Sequence, residues 1–85
     1  MGEIIFSKHA IEQMELRGIS LEIVKGILAA PQQAIIETGK IIFQSIVNFE
    51  HEKEYLVRIF VNTGKEPNVV ITVYRTSKFE KYYES

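Results

Sequence analysis

The stretch EYLVRIFV, residues 54 to 61, has the composition of a β-strand and places one charge inside it. Arg58 points to the same face of the strand as Leu56 and Phe60, so its guanidinium interrupts a series of apolar side chains on that face. KIIFQSIVNFE (40 to 50) and NVVITVYR (68 to 75) flank this stretch and are equally rich in β-branched and aromatic residues. The connections are short, and a parallel crossover needs about a dozen residues or more, so we expect an antiparallel meander.

The sequence before this meander predicts one more strand and two helices. QAIIE (33 to 37) is a fourth, short edge strand, joined to the next by a turn at Thr38-Gly39. Before it, Ser7 caps a helix over residues 8 to 17 that Gly18 stops, and Ser20 caps a second helix that Pro31 ends. We therefore predict one α+β domain over residues 1–85, in which an N-terminal helical hairpin packs on a sheet of three or four antiparallel strands.

The C-terminal stretch TSKFEKYYES has the pattern of a short helical turn. Ser77 and Glu80 have the spacing of a capping box, and Phe79, Tyr82 and Tyr83 fall on one side of the turn. These aromatic side chains either pack on the domain, which we favour, or protrude to contact a partner.

Composition limits the function classes. The chain has 85 residues, no cysteine, ten Lys and Arg against eleven Asp and Glu, and a pI near 6.1. Nucleic-acid binders usually carry a basic excess, so any such role must rest on a local patch. There is no signal-peptide pattern and no apolar run of the ~20 residues that a membrane span needs, so we expect a cytoplasmic protein without a membrane partner.

The first helix carries His9, Gln13 and Arg17 at four-residue steps. At 100° per residue, Arg17 lies about 20° from the centre of the apolar stripe and His9 about 100°, so Arg17 is predicted to turn inward. His9 follows the helix start, where the helix dipole favours the neutral imidazole that can act as a base. The alternative for His9 is an ordinary surface position.

The strands offer a second group of candidates. Arg58 lies on the strand beside Tyr74, while Arg75, Lys78 and Lys81 make the strand end and tail locally basic. The arginines are either a phosphate clamp or strand charges that discourage edge pairing. His51, in EHEKE, is assigned to a solvated turn, and no phosphate-binding loop, dinucleotide motif or nucleophile elbow is present.

FSKHA running into ELRGIS, followed late in the chain by VITVYRTSK, resembles a small uncharacterised prokaryotic toxin-like family. Its members begin with F-[ST]-x-H-A and continue to R-x-[IV], and the family is grouped with the RelE/ParE-like toxins of the barnase–colicin–RelE ribonuclease-like fold. The resemblance implies a metal-independent endoribonuclease without a cofactor, encoded beside a small antitoxin. In such enzymes the ribose 2′-hydroxyl attacks the adjacent phosphate.

The resemblance also implies residue roles. His9 would be the general base or acid, Arg17 a phosphate contact, and Tyr74 a base-stacking or proton-transfer group. Arg58, Arg75 and Lys78 would be further RNA contacts. Gln13 stands where the family often has Arg, which removes one cation from this helix.

Two hypotheses follow from these patterns. The protein is either an RNA-cleaving toxin-like enzyme or a non-catalytic binding module of the same fold. The enzyme is favoured if His9, Arg17, Arg58 and Tyr74 open onto one concave surface, and the module is favoured if Arg17 caps the helical hairpin and His9 faces bulk water. An exposed edge strand would allow a homodimer or an antitoxin to pair by strand addition.

Overall fold

A computed structural model describes residues 3–84. Within them lie five strands, three α-helices and a short 3₁₀ turn at Glu50–Glu52. In chain order the strands and α-helices are β1 (Ile4–Phe6), α1 (Lys8–Leu16), α2 (Leu21–Ala29), β2 (Gln33–Glu37), β3 (Lys40–Phe49), β4 (Lys53–Asn62), β5 (Asn68–Thr76) and α3 (Phe79–Tyr82). The α+β class predicted from the sequence is confirmed. In this part of the chain no helix has the length and apolar character needed to cross a membrane.

The sheet is mixed, with the strand order β1-β5-β4-β3-β2. Strands β2 to β5 form the predicted antiparallel meander, but β1 adds a fifth strand parallel to β5. The prediction of three or four antiparallel strands is therefore wrong in this detail, because three residues are too short for a recognisable strand pattern. Strand β1 pairs only with residues 68–70 of β5, so Arg58 lies on the interior strand β4, whereas Arg75 lies on the part of β5 that β1 does not cover.

The two N-terminal helices begin where their caps predict. The Ser7 hydroxyl accepts a hydrogen bond of 3.0 Å from the Ala10 amide, and the Ser20 hydroxyl accepts one of 3.2 Å from Ile23. However, α1 packs chiefly against β5 and α2 contacts β3. Each helix thus uses the sheet as its partner, which corrects the prediction of a helical hairpin.

The two faces of the sheet have different chemistry. The face under α1 and α2, here called the helix face, holds the main core, to which β4 contributes Val57, Ile59 and Val61. The alternate residues Leu56, Arg58 and Phe60 point to the opposite side, here called the tail face, because the C-terminal segment crosses it. The alternation of side chains along β4 therefore gives the sheet an apolar helix face and a tail face that is partly polar and partly aromatic.

The C-terminal segment packs on the tail face, as the sequence favoured. The Gln44 amide donates to the Tyr82 carbonyl at 3.0 Å, and Gln33 exchanges two hydrogen bonds with the backbone of Glu84. The capping-box prediction at Ser77 is wrong: α3 begins at Phe79, follows Lys78 and has no side-chain cap.

Candidate functional site

The candidates on α1 lie at the protein surface. His9 and Arg17 are both exposed, and Arg17 Nε donates a 2.9 Å hydrogen bond to Gln13 Oε1. The prediction that Arg17 turns inward is wrong. Arg17 is the C-terminal cap of α1, and its side chain folds back along the exposed side of the helix to the Gln13 amide.

The sheet separates these residues from the strand candidates. Ala10 and Met14 of α1 are buried in the core of the helix face, whereas Arg58 and its direct cross-strand neighbour Tyr74 belong to the tail face. The structure therefore does not bring His9, Arg17, Arg58 and Tyr74 onto one surface. It does bring Arg58 and Tyr74 together, as strand adjacency predicted.

Arg58 is the centre of the tail face. Its side chain is only 7% exposed, and its Nε donates to Gln44 Oε1 at 2.8 Å while Nη1 donates to the Tyr74 hydroxyl at 2.8 Å. Gln44 is itself fully buried, and its amide nitrogen donates to Gln33 Oε1 at 2.7 Å. A buried polar group without partners is costly, and this network supplies partners from three strands.

Aromatic rings surround the same guanidinium. Arg58 Cζ lies 4.3 Å from the ring centroid of Tyr82, 5.3 Å from that of Phe60 and 5.9 Å from that of Tyr74. No carboxylate of residues 3–84 forms an ion pair with it. Its charge is therefore stabilised by π faces and neutral oxygens, and it acts on nearby groups without a neutralising partner.

Tyr82 carries the perturbed titratable group of this cluster. A hydrogen bond to the Lys81 side chain lowers the pKa of Tyr82 below its ordinary value, and Tyr74 and the charge of Arg58 lower it further against the opposing desolvation. The Tyr82 ring meets that of Tyr74 edge-on at 6.4 Å. A half-buried phenol with a lowered pKa beside two cations can take up or release a proton more readily than an ordinary tyrosine.

A surface depression of about 540 Å³ adjoins this cluster and is lined by Ser77, Lys78, Phe79, Glu80 and Lys81. Lys81 thus both contacts Tyr82 and lines the depression. The candidate site therefore joins an open basic surface, which includes the predicted residue Lys78, to a buried arginine network.

Sequence reasoning assigned no site role to three members of this cluster, Gln44, Lys81 and Tyr82. Gln44 could have been found, because it pairs directly with Arg58 in the antiparallel register. Tyr82 and Lys81 had no such signal, because their positions depend on how the tail crosses the sheet.

Arg75 lies elsewhere. Its pairing with Val57 places it on the helix face, where its Cζ is 4.4 Å from the Phe49 ring centroid and 4.7 Å from that of Tyr55. It lines a cleft that also includes His51, which the sequence assigned to a solvated turn. The two strand arginines therefore belong to different sites.

The chain matches the model of a known protein family. The model of a domain of unknown function, DUF4258, matches residues 6–75. No match was found among curated proteins or among solved structures. The matched segment runs from the end of β1 to Arg75 and does not include Tyr82.

Proposed function

The chain belongs to the DUF4258 family, and we propose that it is an endoribonuclease whose active site is the Tyr82 cluster on the tail face. The observation that carries the proposal is the placement of the Tyr82 ring against the Arg58 guanidinium, the Tyr74 ring and the Lys81 ammonium, and these neighbours also lower the pKa of its phenol. FSKHA and ELRGIS resemble a family grouped with the RelE/ParE-like toxins, which suggests the ribonuclease activity and a RelE-like fold, but the residues this resemblance implicates, His9 and Arg17, lie on the other side of the sheet from Tyr82.

The proposed reaction needs no protein nucleophile and no metal. The Tyr82 phenolate takes the proton of a ribose 2′-hydroxyl, and the 2′-oxygen attacks the adjacent phosphorus. The bond to the 5′-oxygen breaks and that oxygen takes a proton from water, which leaves a 2′,3′-cyclic phosphate and a 5′-hydroxyl end.

The cations of the site have separate roles in this reaction. Lys78 and Lys81 line the open depression, where their ammonium groups contact the phosphate oxygens as negative charge develops. Arg58 is buried beneath Tyr82 and does not reach the RNA. It is a positioning residue, which holds Tyr74 by a hydrogen bond and the Tyr82 ring by a cation–π contact.

The test is cleavage of a mixed RNA substrate by the purified protein and its Tyr82→Phe variant. Loss of the phenolic hydroxyl removes the base, so we expect cleavage to fall by about 10²- to 10⁴-fold. Tyr83→Phe is a matched control, because it removes a neighbouring hydroxyl whose partner is Gln32. Absence of cleavage by the unmodified protein, or equal cleavage by the two variants, contradicts the proposal.

The same assay decides the roles implied for α1. His9→Ala and Arg17→Ala remove exposed side chains on the other side of the sheet from Tyr82. We expect both variants to retain cleavage. A large loss of cleavage in either variant would show that the active site includes α1.

A non-catalytic binding module is the second candidate, and the exposure of His9 and of edge strand β2 favours it. Ile36 on β2 is 79% exposed beside an unpaired strand edge, which suits strand addition by an antitoxin or by a second copy of the chain. Light scattering of Ile36→Lys against the unmodified protein tests self-pairing. The module gains support if a dimer forms, becomes monomeric in this variant, and RNA stays intact.

A further inference from the structure

A second cleft, independent of the Tyr82 cluster, lies on the helix face where the β3–β4 hairpin turns back. Its volume is about 390 Å³, within the range of ~300–1,000 Å³ that is typical of small-molecule sites. Its lining includes the backbone turn at Gly18 together with Phe49, His51, Lys53, Tyr55 and Arg75. This set brings aromatic rings, two cations and an imidazole to one concave surface.

Aromatic rings, and not carboxylates, hold the cations of this cleft. Arg75 packs on Phe49 and Tyr55, whose rings meet edge-on at 5.7 Å. Lys53 Nζ lies 5.6 Å from the centroid of the same Tyr55 ring. Lys53 and Arg75 both line the cleft, so an anion bound there can accept charge-assisted hydrogen bonds from either cation.

The acidic residues of the hairpin do not neutralise these cations. Glu50, Glu52 and Glu54 surround Lys53 in sequence, yet among residues 3–84 neither Lys53 nor Arg75 forms an ion pair with a carboxylate. Glu50 lines the cleft as a separate acceptor. The cleft thus combines donors for an anion with an acceptor for hydroxyl or amino groups.

The β3–β4 hairpin turn supplies His51 to the cleft. His51 has φ 63° and ψ 27°, and Glu52 has φ 56°; tight hairpin turns commonly place residues in this left-handed conformation. Because Phe49 pairs with Lys53, the turn holds His51 between two other lining residues of the cleft.

We infer that this cleft binds a nucleoside monophosphate. Lys53 and Arg75 contact the phosphate, while Glu50 and His51 hydrogen-bond to the hydroxyl or amino groups of the nucleoside. The phosphate supplies most of the affinity, because its contacts are charge-assisted and neither cation forms an ion pair with Glu50.

The test is calorimetric titration of the full chain with adenosine 5′-monophosphate and, separately, with adenosine. We expect the monophosphate to bind at least about tenfold more tightly, because the nucleoside lacks the charge-assisted contacts. Arg75→Met keeps an apolar stem against Phe49 and Tyr55 and should weaken monophosphate binding by about tenfold. Lys53→Gln, at an exposed position, should also weaken monophosphate binding. This variant tests the inference if Arg75→Met does not fold.

Lys65→Gln, in the exposed loop between β4 and β5, is the control for loss of a charge and should leave binding unchanged. Tyr82→Phe should also bind the monophosphate normally, which separates this cleft from the proposed RNA site. The inference is overturned if the monophosphate gives no heat at millimolar concentration, if adenosine binds equally well, or if a folded Lys53→Gln protein binds unchanged.

Discussion

At the residue scale, Arg58 is a buried charge that forms no ion pair with any carboxylate of residues 3–84. Gln44 and Tyr74 accept its hydrogen bonds, and three aromatic rings face the guanidinium. The parity of Arg58 and its adjacency to Tyr74 could be predicted, because both follow from strand periodicity and the meander. Its burial could not, because it depends on the tail segment that crosses the sheet.

Tyr74→Phe tests this network. The change leaves one guanidinium donor of Arg58 without its acceptor in a buried setting, so the free energy of unfolding should fall by about 1.5–3 kcal/mol. Urea denaturation measures it, with Tyr83→Phe as the control, whose half-buried hydroxyl bonds to an exposed glutamine. Equal losses in the two variants would show that the Arg58 network adds no particular stability.

Lys81→Met tests whether Lys81 causes the lowered pKa of Tyr82. Because Lys81 is the main source of the lowered pKa, its removal should raise the pKa of Tyr82 toward the ordinary value. The ultraviolet absorbance of phenolate during an alkaline titration measures the shift, and Tyr82→Phe identifies the affected tyrosine. An unchanged titration would exclude Lys81 as the cause.

At the element scale, most boundaries could be predicted because each has a local chemical cause. Ser7 and Ser20 cap their helices, and β2 to β5 have β-branched and aromatic residues between turns. Strand β1 could not be predicted, because its partner β5 lies more than 60 residues away in sequence. Helix α3 was expected to start at a Ser77 cap, but its first turn forms without a side-chain cap.

A matched pair of serine variants tests the capping assignments. Ser7→Ala removes the acceptor of the Ala10 amide and should cost about 1 kcal/mol of unfolding free energy. Ser77→Ala should change it by less than about 0.5 kcal/mol, because Ser77 is exposed and does not cap α3. Thermal and urea unfolding measure both, and a larger loss from Ser77→Ala would contradict the structure.

At the scale of the whole molecule, the sheet divides the candidate residues that the sequence grouped together. Both rows of β4 are largely apolar, so its pattern alone does not tell which face α1 and α2 cover. The packing places Arg58, Tyr74 and Tyr82 on one side, and Arg75 with the α1 residues on the other. The domain thus presents two separate surfaces with cations, each held by aromatic rings.

We propose that the Tyr82 phenolate drives RNA cleavage on the tail face. The most direct measurement is the pH dependence of the single-turnover cleavage rate for the unmodified protein and for Lys81→Met. The rate should rise with pH as Tyr82 loses its proton, and the midpoint should move to higher pH in Lys81→Met by the same amount as the spectroscopic titration. A rate that does not depend on pH, or a midpoint that stays in place while the titration moves, would contradict the claim.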